Sequence, residues 1–148
     1  MKSLTPPQQA LFTLFNEIGI ISQLSNARFE RTLPHGLTIA QFSVLNHLVR
    51  LEGDWSPARL AAFQVTKGTM TSTLQRLVAK DFITLEPNPV DGRAKHVRLT
   101  AAGQLAREEA LSATAPALGD ISAALSDAEI EALIPDLQKL RVWLDKHR

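Results

Sequence analysis

NPVDGRAKHVRLTAAG, residues 88–103, decides the fold. Pro87 and Pro89 lead into an Asp-Gly turn at Asp91-Gly92, and a basic segment follows. Val97 and Leu99 sit at alternate positions of that segment, so KHVRL (95–99) reads as a half-buried strand. FITLE (82–86), with Phe82, Ile83 and Leu85, reads as its antiparallel partner. An Asp-Gly turn between two such runs marks a hairpin, and Gly92 supplies the positive φ such a turn can need. Thr100 then stands at the N-cap of a helix expected over 101–123.

Upstream of the hairpin the apolar spacing changes from two to about 3.6. Thr66 is placed to cap a helix over about 67–80, with Met70, Leu74, Leu77 and Val78 inward. Its other face carries Gly68, Thr69, Ser72, Gln75, Arg76 and Ala79 and holds no acid. Solvated helix faces usually mix acids and bases, so this one suits a polyanion. Ser56-Pro57 is a cap followed by a first-turn proline and opens a short helix, about 57–63, with Leu60 and Ala61 inward. Trp55 before it reads as a short extended residue. Thr38 caps a helix over about 39–51, with Phe42, Leu45, Leu48 and Val49 inward.

Helix, helix, tight turn, helix, strand, hairpin and strand, in that order, make a winged helix-turn-helix. The fold is therefore expected to be mainly α with a small β-hairpin wing, one continuous domain read in three parts: 1–36, 37–100 and 101–148. In such a module the second helix of the pair enters a major groove. Lys67, Thr69 and Thr71 suit phosphate contacts in its first turns. Gln75 can pair with adenine, and Arg76 can reach guanine or a phosphate. Arg93 at the wing tip suits a narrow minor groove, and Lys95 and Arg98 are candidates for phosphate, though one face of a strand points outward at a time. Asp91 would repel phosphate, so its expected role is to fix the turn and pair with an arginine. The candidate DNA interface is Ser56, Thr66, Lys67, Gly68, Thr69, Thr71, Ser72, Gln75, Arg76, Arg93 and Lys95, with Asp91 and Gly92 structuring the wing.

LTIAQFSVLNHL, SPARLA, VTKGTMTSTLQRL and above all PNPVDGRAKHVRLTAAG resemble the MarR family of bacterial transcription regulators. The last has that family's wing pattern, an Asp-x-Arg followed by a strand and Leu-Thr-x-x-Gly, here Asp91, Arg93, Leu99, Thr100 and Gly103. The resemblance implies that the N- and C-terminal helices build a homodimer from which the winged domains hang. It also implies a small aromatic or phenolic effector in the cleft beneath them, where Phe12, Asn16, Arg28, His35 and His47 are candidate lining residues. Family members often carry Arg at the position of Ser72, Gly at Asp81, a basic residue near Glu86 and a second wing arginine at Gly92. These departures lower the positive charge and bear on affinity and operator sequence.

Residues 6–32 read as one long helix that starts at Pro6-Pro7 and stops before Pro34 and Gly36. Leu11, Phe15 and Ile18 form its seam. Ser126 with Glu129 is a capping box for a last helix over about 127–147. There Ile130, Leu133, Leu137, Leu140 and Leu144 follow a 3-4-3-4 spacing suited to another helix. Pro135 should kink or break it, and the preceding helix should weaken around Pro116 and Gly119.

Bulk composition bounds the rest. The 148 residues are 45% hydrophobic and only 5% aromatic, with no Cys and no Tyr. A Leu/Ile/Val/Ala core favours helix packing. Without Cys there is no disulfide, thiolate metal site or thiol-based redox sensor. Net charge is +1, but residues 64–100 hold six basic and three acidic side chains, and residues 101–148 hold five and eight. The four histidines show no metal-ligand spacing, and no cofactor is expected. No phosphate loop, nucleophile elbow or His-Glu metal motif points to an enzyme. No apolar run spans a bilayer and the N-terminus lacks a signal-peptide layout, so a cytoplasmic protein is expected. The expected partners are pseudo-palindromic duplex DNA, a second copy of the chain and a small effector. A winged-helix protein–protein module and a constitutive DNA binder without effector remain open on sequence alone.

Overall fold

The computed structural model describes residues 3–51, 53–62, 67–90, 92 and 95–148, with the backbone alone at 67–69. Among the described residues six helices and one hairpin follow in the order α1 (Pro6–Glu30), α2 (Ile39–Arg50), α3 (Pro57–Ala61), α4 (Lys67–Ala79), β1 (Ile83–Pro87), β2 (Lys95–Leu99), α5 (Ala101–Ile121) and α6 (Asp127–Lys146). The chain divides into two compact units, Met1–Thr114 and Ala115–Arg148.

In the first unit, α1 is started by a capping box that the sequence reading passed over. Gln8 N–H donates to the Thr5 hydroxyl, and Thr5 N–H donates to Gln8 Oε1 at 2.9 Å. Thr38 caps α2 as expected, accepting from Gln41 N–H at 3.2 Å. Glu30, the last residue of α1, takes a second orphan donor of that end, Ile39 N–H, at 3.0 Å. This bond fixes where α2 departs from α1. Thr66, the expected cap of α4, lies outside the described residues.

The core joins Leu37 to Val44 and Leu45 of α2, Trp55, Leu60 of α3, and Met70, Leu74 and Leu77 of α4. Ile83, Val97 and Ala106 complete it from the hairpin and α5. Two expected inward residues, Val49 and Val78, are exposed instead. Each sits at the edge of its apolar arc, and Gln41 and Thr73 take the buried positions. On α2 the buried arc runs through Gln41, Val44 and Leu45, about 100° from Val49.

The hairpin is antiparallel, with Ile83 opposite Leu99, Leu85 opposite Val97 and Pro87 opposite Lys95. β1 begins one residue later than expected, because Phe82 belongs to the turn. Its N–H donates to Leu77 O at 3.0 Å and its carbonyl accepts from Thr100 N–H at 3.1 Å. Gly103 is required here, since a Cβ would stand 2.0 Å from Phe82 O. Trp55 behaves as a one-residue third strand: its carbonyl accepts from Val97 N–H at 2.7 Å. That bond ties the wing to the turn before α3.

α5 runs through Pro116 and Gly119 to Ile121 without interruption, and α6 runs through Pro135, which neither ends nor breaks it. The reason is exposure. Pro116 and Pro135 are at the surface, as are Ser112 and Glu131 four residues earlier, so water can take each carbonyl that proline leaves without a donor. In the second unit the Ser126–Glu129 capping box forms, with Glu129 N–H donating to Ser126 Oγ at 3.2 Å. No residue of α6 is buried.

Candidate nucleic-acid interface

α4 separates its faces cleanly. Met70, Thr73, Leu74 and Leu77 are buried, whereas Thr71, Ser72, Gln75, Arg76 and Ala79 are exposed. The exposed set offers two hydroxyls, an amide and a guanidinium, and no carboxylate. Such a face can donate to phosphates and base edges without repelling them. Lys67, Gly68 and Thr69 occupy the first turn, where free backbone N–H groups add positive potential.

Ser56 spends its hydroxyl oxygen on capping α3, accepting from Arg59 N–H at 3.1 Å. Arg59 is held back: its guanidinium donates to Asp54 O at 2.9 Å and stacks 4.4 Å from the Trp55 ring centroid. Between α3 and α4, Pro57, Ala58, Ala61, Met70 and Thr71 line a groove of about 250 Å³ that sequence reading did not find. Its only signal was the run of small residues in PARLA facing Met70.

On the wing, Thr84, Glu86, His96 and Arg98 share one face of the hairpin, where His96 alone of the four is buried. Arg98 Nε donates to Glu86 Oε2 at 2.8 Å. Arg98 is engaged by an acid on its own hairpin. Lys95 is exposed at the hairpin's tip end, opposite Pro87. His96 is buried, 3.6 Å from Asp54 Oδ1. Gly92 is exposed with nothing within 4 Å of a built Cβ. Among the described residues the glycines with positive φ are Gly36 and Gly53. Asp91 and Arg93 lie outside the described residues.

This helix-and-wing geometry matches known proteins. A model of the MarR family matches residues 35–94, from the entrance of α2 to the wing. Multiple antibiotic resistance protein MarR of Escherichia coli is 36% identical over 99 residues, covering 61% of this chain and 68% of that protein. Transcriptional regulator HosA of Escherichia coli is 31% identical over 106 residues, covering 72% of this chain and 74% of its own length. The chain belongs to the MarR family. Among solved structures, a MarR mutant from Escherichia coli complexed with operator DNA superposes with a TM-score of 0.71 at 28% identity, over 88% of this chain and 95% of that one. BpsR of Bordetella bronchiseptica, whose DNA binding is regulated by 6-hydroxynicotinic acid, gives 0.71 at 27% identity, over 87% and 98%.

The residues expected to line an effector cleft sit on three different parts of the chain. Phe12, Asn16 and Arg28 are exposed on α1. His35 lies in the α1–α2 connection, paired with Glu109 and edge-on to Phe82 at 5.7 Å. His47 packs edge-on to a different aromatic, Trp55, at 4.4 Å. None of the five lines the α3–α4 groove. Of the expected seam, Leu11, Phe15, Leu133, Leu137 and Leu144 are exposed, while Ile18, Ile130 and Leu140 are half-buried. Among the described residues no helix is long and apolar enough to cross a membrane.

Proposed function

We propose that this MarR-family protein is a homodimeric, sequence-specific transcription regulator of the cytoplasm, which represses by occupying promoter DNA, is released by a small molecule, and catalyses no reaction. The observation that carries the reading is the acid-free exposed face of α4 beside a hairpin wing. Thr71, Ser72, Gln75 and Arg76 would read or brace the major groove. Lys67 and Ser56 would meet phosphate, and Arg93 the minor groove. The apolar positions left open on α1 and α6 support a seam with a second copy. A dimer would present two α4 helices to half-sites about one helical turn apart.

The effector reading rests on BpsR and on the α3–α4 groove. About 250 Å³ suits a single-ring molecule, and an occupant there would press on Met70 and Thr71 at the start of α4. By linkage, an effector that lowers DNA affinity is itself bound more weakly by the DNA complex, by the same factor.

The test is selection from a random duplex library with purified protein, followed by a salt titration on the best binder. The expected result is an enriched inverted repeat whose log affinity falls linearly with log salt. Absence of any enriched motif overturns the regulator reading and leaves a protein-binding winged helix.

A further inference from the structure

Among the described residues two that are not glycine hold a positive φ, His35 and Asp81, each at 60°. A Cβ makes that region unfavourable, and it persists where surrounding contacts fix it. Asp81 has a local cause. It follows α4, and Phe82 N–H donates past it to Leu77 O at 3.0 Å, which closes the helix end. His35 is different. It and Gly36, at φ 64°, are the central residues of a turn closed by Leu37 N–H to Pro34 O at 3.1 Å. Gly or Asn at 35 would meet that turn with less strain. What His35 adds lies outside the turn. Its carbonyl accepts from Lys80 Nζ at 2.6 Å, its Nε2 pairs with Glu109 of α5, and its ring stands edge-on to Phe82 at 5.7 Å. One strained turn thus touches the end of α4, the residue before β1 and the middle of α5.

Lys80 counts by sequence among the cations of the basic middle, yet its half-buried ammonium is engaged 45 residues back in the chain. A charge-assisted bond of this kind is directional. The apolar contacts of Met70, Leu74 and Leu77 are not, so they fix which face α4 buries and leave small tilts open. Such tilts matter to a reader of DNA. α4 has 13 residues and is about 20 Å long. A tilt of about 10° moves one end relative to the other by about 3.4 Å, the rise of one base pair. We propose that the His35 turn is a positioning latch: it holds the end of α4 through Lys80 and α5 through Glu109, and so sets the half-site spacing that the DNA-bound dimer accepts. The inference rests on the homodimeric regulator reading and adds to it two positioning residues, His35 and Lys80, that need touch no base.

The experiment compares the full chain with Lys80→Met, Lys80→Arg and His35→Gly on the selected operator and on two versions with the spacer lengthened or shortened by a single base pair. Affinities are read from about 50 to about 300 mM salt. The parent should prefer the selected spacing by about tenfold or more. Lys80→Met keeps the apolar stem and removes the donor. It should narrow that preference to about threefold or less, because a freed lobe spends only part of its time in the competent orientation and gains access to others. Its slope of log affinity against log salt should match the parent's. Lys80→Arg keeps the charged donor and should keep the preference. His35→Gly relieves the positive φ and removes the imidazole, so it should fold at least as well as the parent and still narrow the preference. Retention of the parent's preference in Lys80→Met or in His35→Gly overturns the latch. So does an equal loss on all three spacers with the slope lower by about one unit, which would make Lys80 a phosphate contact. A parent that shows no salt-dependent duplex binding removes the regulator reading itself. A parent that binds and discriminates, beside variants that discriminate equally, removes the latch alone.

Discussion

Leu45 and Leu77 have no exposure to solvent, whereas α1 and α6 contain no buried residue at all. The two kinds of region are not distinguished by apolar content. Leu11, Phe12, Leu14, Phe15, Ile20, Ile21 and Leu24 make α1 apolar on most sides. They differ in closure. α2, α3, α4, the hairpin and Ala106 of α5 enclose one another within about 70 residues. The apolar positions of α1 and α6 await something more, and a helix apolar on most sides is stable in water only when covered. The proposed DNA-facing helix α4 thus stands on the closed side of this contrast, and the helices expected to form the seam stand on the open side.

The contrast can be broken most forcefully at the core. Leu77→Ala should lower unfolding free energy by about 3 kcal/mol, read from the urea transition. A loss below about 1 kcal/mol would show that the α4 contact is not central. On the open side, Leu137→Asp places a charge in the expected seam. It should weaken self-association by more than about thirtyfold in sedimentation equilibrium. Unchanged association would remove Leu137 from the seam.

Two glycines sharpen the same comparison. Gly103→Ala drives a methyl to 2.0 Å from Phe82 O, so it should cost about 2 kcal/mol or more. Gly19→Ala on α1 meets no atom within 4 Å and should gain up to about 1 kcal/mol through helix propensity. Destabilisation by Gly19→Ala would instead reveal a second chain packed closely at that point of α1. The smallest effect is expected on the wing. The Glu86–Arg98 pair is half-exposed on both sides, and such pairs contribute about 0–1 kcal/mol. Glu86→Gln should leave the thermal midpoint nearly unchanged and tighten operator binding a few fold by freeing Arg98 and removing an acid. Weaker binding would mean that Glu86 positions the wing.

The candidate site was legible in part, and the limits have identifiable causes. The polar face of α4 follows from helical periodicity alone, because Met70, Leu74 and Leu77 leave only one arc for Ser72, Gln75 and Arg76. Arg98 was ambiguous because a strand alternation says which residues share a face and not what else stands there. Only the register, which brings Glu86 within 2.8 Å, showed that its guanidinium is engaged. The two histidine candidates illustrate the same limit. His35 and His47 are polar residues on suitable elements, yet each found its own aromatic neighbour, Phe82 or Trp55.

By itself the sequence determined what depends on neighbours along the chain. The caps at Thr38, Ser56, Thr100 and Ser126, the strand at Lys95–Leu99, and the switch from helical to alternating pattern all rest on residues a few positions apart, whose local hydrogen bonds decide the outcome. The tertiary structure alone decided what depends on distance in space. Proline did not end α5 or α6, because exposed carbonyls can turn to water. Gly103 proved indispensable because Phe82 passes over it. Trp55 joined the hairpin through one backbone bond from Val97, between residues more than forty positions apart. Pairings of that kind are selected by packing, and packing has no local signature.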